Sequence, residues 1–182
     1  ALIPRPDSER VVELALERLK TDAPLKIADL GTGSACLLIA ILKSRPLVTG
    51  IGVEADPAAA SLAKENVARH DLCERAEIAQ MSWADWDGWG EMDMIVSNPP
   101  YIVHDVIETL APEVSRYDPA DALDGGADGL SAYREIISCA GIHMRPGAYL
   151  VFEIGYDQKE SVSDLLREAE FTAIKAHLDL NG

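Results

Sequence analysis

The chain has 182 residues, 31 acidic against 16 basic, a formal net charge of −15 and 48% hydrophobic residues. That length supports one domain with a sizeable core, and no apolar run reaches the roughly 18 residues of a membrane span. Phosphates need Lys and Arg to neutralise them, so the acidic balance disfavours a nucleic-acid ligand and suits a basic protein surface.

The opening "ALIPRPDSER" has neither the basic region nor the apolar core of an export signal. Cys36, Cys73 and Cys139 are odd in number and lack CxxC spacing, which reads as reduced thiols rather than a disulfide or a metal site. A cytoplasmic monomer is expected, and the missing initiator Met suggests a start that is not native. Pro6, Asp7 and Ser8 are start signals for a helix over Arg10 to Lys20, striped by Val11, Val12, Leu14, Ala15, Leu16 and Leu19. "LKIADL" (25–30) reads as a first strand, "GTGSA" as a glycine turn and "CLLIAILKS" as a buried helix. "LVTGIGVE" (47–54) is a second strand. Asp56 then caps a helix with Pro57 at its first position, carrying Leu62, Ala63, Asn66 and Val67 on one side.

"AEIAQM" (76–81) and "MDMIVS" (92–97) are the third and fourth strands. Val103 to Gly129 is a long polar stretch, of a length usually functional or disordered. A helix near Leu130–His143 precedes the strand "AYLVFEI". Asp157 and Glu160 form a capping pair for a helix to about Ala169, and "FTAIKAHL" is the last strand. This alternation predicts an α/β fold: a doubly wound, mostly parallel sheet in a single domain over residues 1–182. Sites in such sheets lie outside the carboxyl ends of the strands, where strand order reverses. The turns after the first and fourth strands both fall at that edge.

In "DLGTGSA" (29–35), Gly31 and Gly33 allow a tight turn and close approach of a ligand. Glu54, 21 residues past Gly33, ends the second strand, where a carboxylate can accept from both hydroxyls of a ribose. Together they indicate an adenosine-containing cofactor. The dinucleotide pattern G-x-G-x-x-G fails at Cys36, which disfavours NAD. The turn better suits the amino-acid end of S-adenosylmethionine, whose ammonium fits carbonyls and a nearby acid such as Asp29. Taken alone, the glycines are equally compatible with a plain β–α turn.

In "VSNPPYIV" (96–103), two prolines without N–H groups end the strand at Ser97, leaving Asn98, Pro99, Pro100 and Tyr101 as a stiff platform. A planar –NH₂ conjugated to a carbonyl or an aromatic ring is a poor nucleophile. If the Asn98 side-chain oxygen and the Pro99 carbonyl accept its hydrogens, density on nitrogen rises and the lone pair is aimed. Tyr101 can stack on the planar group. Direct displacement at an in-line sulfonium methyl then gains its rate from positioning and electrostatics. The platform reads as a holder for an sp² amine in methyl transfer; a mere strand terminator is the alternative.

"DLGTGSA", "VSNPPYI", "LIPRPDSE" and "RYDPADALDGGADGL" together resemble the protein-(glutamine-N5) methyltransferases that modify peptide-chain release factors, the HemK/PrmC family, over residues 2–182. Asn-Pro-Pro-Tyr alone is shared with adenine-N6 DNA methyltransferases; its combination with the other stretches is far more specific. The resemblance implies a class I, Rossmann-like methyltransferase fold, S-adenosyl-L-methionine as cofactor, and methylation of the glutamine in a Gly-Gly-Gln motif. It would put Asp29, Leu30, Gly31, Thr32 and Gly33 at the methionine end of the cofactor, Glu54 at the ribose and Trp83 beside the adenine. Asn98, Pro99, Pro100 and Tyr101 would hold the glutamine amide, with Asn98 also near the cofactor and Arg5 helping to order the site.

Three positions depart from the family pattern: Ala35 and Glu54, where Gly and Asp are usual, and Ser82, where an Asp suited to the adenine amino group is frequent. The family's small helical domain before "LIPRP" and its final strand are expected to be missing, leaving an excised catalytic domain with an exposed sheet edge. Adenine-N6 methylation of nucleic acid, a ribosomal-protein glutamine as target, and a non-catalytic adenosyl-binding module remain alternatives. His70, His104, His143 and His177 lack metal-ligand spacing, and Trp86 and Trp89 are expected to cover the sheet edge beside the cofactor.

Overall fold

In the computed structural model the described residues are 7–109 and 122–178. Helix α1 (Asp7–Arg18) starts at the predicted signals. It turns Val11 and Ala15, with Leu19 just past its end, into the core, a spacing of four that keeps one helical face against the sheet. Strands β1 (Lys26–Leu30), β2 (Thr49–Glu54), β3 (Ala76–Gln80), β4 (Met94–Ser97) and β5 (Tyr149–Phe152) follow. All pair in parallel, in the order β3-β2-β1-β4-β5. Helices α2 (Cys36–Ser44), α3 (Pro57–Arg69), α4 (Ser131–His143) and α5 (Lys159–Glu168) complete the alternation.

Side chains alternate between the two faces of the sheet, and both faces are covered. Ile27, Met94 and Val96 pack with α1, α2 and α3 on one face; Ala28, Leu30, Val53 and Ile95 pack with Ile136 and Ala140 of α4 on the other. Trp86 and Trp89 belong to this second layer. Both are buried, their rings 5.5 Å apart, so they are core of the α4 face rather than a cover for the sheet edge.

Three other expectations change. On α3, Asp56 does cap the helix, accepting from the Ala59 N–H at 2.7 Å, but Leu62 points outward because the buried set is Ala59, Ala60, Ala63 and Val67. On α5, the residue before the helix is Gln158, and no side chain caps it. Asp157 therefore makes no cap; the turn is closed by the Gln158 N–H donating to the Gly155 carbonyl at 3.0 Å. "FTAIKAHL" forms no strand: Ala173 has φ +55°, which breaks extended geometry, and among the described residues β5 pairs only with β4. Without a ladder partner an alternating segment has nothing to stabilise it as a strand. The described sheet thus ends at β5, where Tyr149 is 47% exposed. No described helix is long and apolar enough to cross a membrane.

Candidate active site

The chain runs outward from β1 to β2 and β3, then crosses back to place β4 on the other side of β1. Strand order therefore reverses between β1 and β4, where ligands of such sheets bind. Leu30 is paired with Ser97, so the glycine turn and the Asn-Pro-Pro-Tyr platform begin side by side. Leu30 also pairs with Val53, and Ser97 with Phe152, which brings Glu54 and Glu153 to the same edge. The two ends are tied: the Ser97 hydroxyl, fully buried, donates to the Leu30 carbonyl at 2.7 Å.

In the turn, the Gly31 and Thr32 N–H groups both donate to the Val53 carbonyl, at 2.9 and 3.1 Å. Gly31 has φ +66°, and a Cβ there would meet the Trp83 ring at 3.3 Å, so the indole lies against the turn. The Trp83 Nε1–H donates to Glu135 of α4 at 2.7 Å, which fixes the ring's tilt. Leu30 and Thr32 turn their side chains into the protein and offer a ligand only backbone. Ser82 engages Asp85 through its hydroxyl at 2.9 Å. Ala35 adopts left-handed geometry, at φ +63°.

Glu54 bends back over the turn. One carboxylate oxygen accepts from the Gly33 N–H at 2.8 Å, the other from the Asp56 N–H at 2.9 Å. Each oxygen keeps a lone pair for a further donor. Asp29 is 1% exposed. Its Oδ2 accepts from the Thr32 hydroxyl at 2.6 Å, while Oδ1 is buried with no partner at hydrogen-bonding geometry among the described residues. Burial, opposed by the Thr32 hydroxyl and the Leu38 backbone amide and reinforced by the charge of Glu54, pushes its pKa up to about 7. An orphaned acidic oxygen beneath the turn, with acceptors to spare on Glu54, fits a cofactor that brings a cation and a diol.

On the platform, Asn98, Pro100 and Tyr101 are half-buried and Pro99 is buried. The Asn98 amide makes no hydrogen bond among the described residues, so its oxygen stays open as an acceptor. The Tyr101 ring leans on the cluster of Tyr133, Ile137 and Val162. The chain beyond it is held by the "LDGG" stretch: Ile102 donates to Leu123 at 3.0 Å, Gly125 to Ile102 at 2.8 Å, and His104 to Gly126 at 2.9 Å through backbone groups. His104 Nδ1 also lies 2.6 Å from Asp124 Oδ2.

Gly129, at φ +74°, has room for no side chain: a Cβ would lie 2.5 Å from the Tyr101 carbonyl and 2.6 Å from Gln158 Nε2. Gly129→Ala is expected to lower unfolding stability by about 3 kcal/mol, combining left-handed strain with disruption of buried hydrogen bonds. Gly147→Ala, at φ +85° with nothing within 4 Å, should cost only about 1 kcal/mol, the strain alone. Urea titration of both variants checks the difference.

The structure therefore gathers Asp29 to Gly33, Glu54, Trp83 and Asn98 to Tyr101 at one edge. Arg5 lies outside the described residues. Glu153 and Gln158 escaped the sequence reading. Glu153 follows β5 beside Asn98; its carboxylate accepts from the Ser8 hydroxyl at 2.7 Å, joining α1 to this edge, and its carbonyl accepts from the buried Tyr133 hydroxyl at 2.8 Å. An acid closing an apolar run, as in "YLVFE", is the same signal that Glu54 gives.

This sheet order and edge define the fold of the class I S-adenosylmethionine-dependent methyltransferases. A ribosomal protein L11 methylase from Lactobacillus delbrueckii subsp. bulgaricus matches with a TM-score of 0.64 at 22% identity, over 94% of this chain and 73% of that one. An RNA methyltransferase from Salinibacter ruber, in complex with S-adenosyl-L-homocysteine, matches with 0.57 at 19% identity, over 86% and 82%. At those identities the likeness is one of fold. The chain belongs to the methyltransferase small domain family, whose model matches residues 9–114. The release factor glutamine methyltransferase of Caulobacter vibrioides is 41% identical over 180 residues, 99% of this chain and 62% of that protein. The chain spans about three fifths of the length of the curated relatives it matches.

Proposed function

We propose that this chain transfers a methyl group from S-adenosyl-L-methionine to the side-chain amide N5 of the glutamine in the Gly-Gly-Gln motif of a peptide-chain release factor. The observation that carries the reading is the Leu30–Ser97 pairing, which sets a turn suited to a cationic adenosyl ligand beside a platform of acceptors. The name of the Caulobacter relative supports the choice of substrate. When bound, the cofactor supplies an electrophilic methyl carbon on a positively charged sulfur, which a nitrogen lone pair displaces while the C–S pair stays on sulfur.

The residues of this chain do the rest. Asp29 lends negative charge beneath the turn, the Gly31–Gly33 backbone gives close approach, Glu54 accepts from the ribose, and the Trp83 ring walls the adenine. Asn98 Oδ1 and the Pro99 carbonyl accept the two N5 hydrogens of the glutamine, and Tyr101 holds the amide plane. Because a prolyl nitrogen carries no hydrogen, the amides of Pro99 and Pro100 add no backbone donor that could compete with the substrate. One N5 proton leaves to solvent once nitrogen has formed its new bond. The net charge of −15 suits a basic release-factor surface and weighs against the adenine-N6 alternative.

Methyl-labelled cofactor incubated with release factor or with duplex DNA, followed by mass spectrometry, tests the assignment. One methyl on the Gly-Gly-Gln glutamine is expected. Label on adenine, or none on the release-factor glutamine, refutes it; cofactor binding without any transfer identifies a binding module.

A further inference from the structure

We infer that Gln158 is a positioning residue for the acceptor platform, holding its trailing end so that the oxygens of Asn98 and Pro99 keep a single orientation. The inference deepens the glutamine-methylation reading and rests on it. A platform of this kind has a mechanical problem. Pro99 and Pro100 have no N–H to anchor them, and the acceptor oxygens must stay open for substrate. It must be held from its two ends.

The leading end is Ser97. Its carbonyl accepts from the Glu153 N–H at 3.0 Å and its hydroxyl donates to Leu30 at 2.7 Å. At the trailing end the Tyr101 carbonyl accepts from Gln158 Nε2 at 3.0 Å. The same –NH₂ donates to the Gly129 carbonyl at 3.0 Å, and Gln158 Oε1 accepts from the Gly155 N–H at 3.0 Å. One carboxamide thus joins three backbone segments: the platform, the "DGL" loop and the loop after β5.

Gln158 is 7% exposed. It stands immediately before α5 yet makes no cap there, its hydrogen bonds all spent elsewhere. The surroundings match its shape. A Cβ on Gly129 would lie 2.6 Å from Nε2, and one on Gly155 would lie 2.9 Å from Oε1. Two donors and an acceptor at this reach are a glutamine's alone: a glutamate offers no donor while ionised, and a methionine fills the space but forms no hydrogen bond of comparable strength.

The test uses Gln158→Glu and Gln158→Met with release factor and labelled cofactor. In both, kcat at pH 8 should fall about 10- to 100-fold, the scale of a slightly misplaced reacting group. The KM for release factor and the Kd for cofactor should stay within about threefold. Protonation restores a donor to the Gln158→Glu side chain, so its kcat relative to the parent should recover between pH 8 and pH 6, whereas Gln158→Met should not. Amide exchange at Ile102 and His104 should quicken in both variants while β1 and β2 exchange as in the parent. Quickened exchange with kcat unchanged reduces Gln158 to a structural role and overturns the inference. A parallel loss of cofactor binding also overturns it.

In the parent chain the Gln158 carboxamide protons should exchange slowly by NMR. Fast exchange there refutes the clamp even if neither variant folds. Should the parent transfer no methyl to release factor, the glutamine reading fails by itself, and the clamp stands or falls on the exchange measurements.

Discussion

Asn98→Ala is expected to lower the single-turnover rate of methyl transfer about 10²- to 10³-fold at saturating cofactor, the scale of losing one preorganised group aimed at developing charge. An amide nitrogen gives up conjugation as it bonds to carbon, and positive charge grows on its hydrogens. An acceptor facing those hydrogens is therefore worth more in the transition state than in the bound ground state, so the loss falls on rate. The fold should hardly notice. Asn98 is half-buried and its amide has no partner among the described residues, so the stability change should stay within about 0.5 kcal/mol. Asn98→Asp keeps an acceptor oxygen at the same reach and should lose only about tenfold. A rate within threefold of the parent for Asn98→Ala would show that the platform does not grip the substrate nitrogen.

The parts of the site that could be read in the sequence are those whose residue type is unusual for its place. Asn98 and two prolines interrupt an apolar strand, and Glu54 closes another; a residue so costly at a strand end advertises a role. Asp56 before Pro57 is legible for the same local reason, a cap preceding a first-turn proline. Gln158 gave no such signal. A glutamine ahead of a helix looks like solvated surface, and its meaning comes from Tyr101 and Gly129, 57 and 29 residues away. Gly129 was visible only as one glycine in a polar stretch, and its demand for left-handed geometry appears once the Tyr101 carbonyl lies against it. "FTAIKAHL" failed in the opposite direction. Its alternation is strand-like, but a strand is completed by its neighbour, and periodicity cannot say whether one is there.

Asp29 makes the second large prediction, because its carboxyl is held near pKa 7 against an ordinary value of 3.8. Between those values the folded chain binds a proton that the unfolded chain has released. The stabilisation is therefore complete below pH 3.8, shrinks as pH rises, and is lost by the time pH passes 7. Three units correspond to about 4 kcal/mol at most. Asp29→Asn removes the titration, so the parent's unfolding free energy should fall by about 2–4 kcal/mol relative to the variant between pH 4 and pH 7.5 in denaturant titrations. A pH-independent difference would mean that the carboxyl ionises in the folded state as easily as in the unfolded one.

The same proton reports on the ligand. A cation seated over the turn favours the ionised carboxyl, so S-adenosyl-L-methionine binding at pH 6 should release close to one proton, and its affinity should strengthen as pH rises toward 7. Calorimetry in buffers of different ionisation enthalpy counts that proton. It should vanish in Asp29→Asn, and its persistence there would move the cation's counter-charge from Asp29 to another acid of the same edge, of which Glu54 is the nearest in sequence and structure to the Gly33 amide.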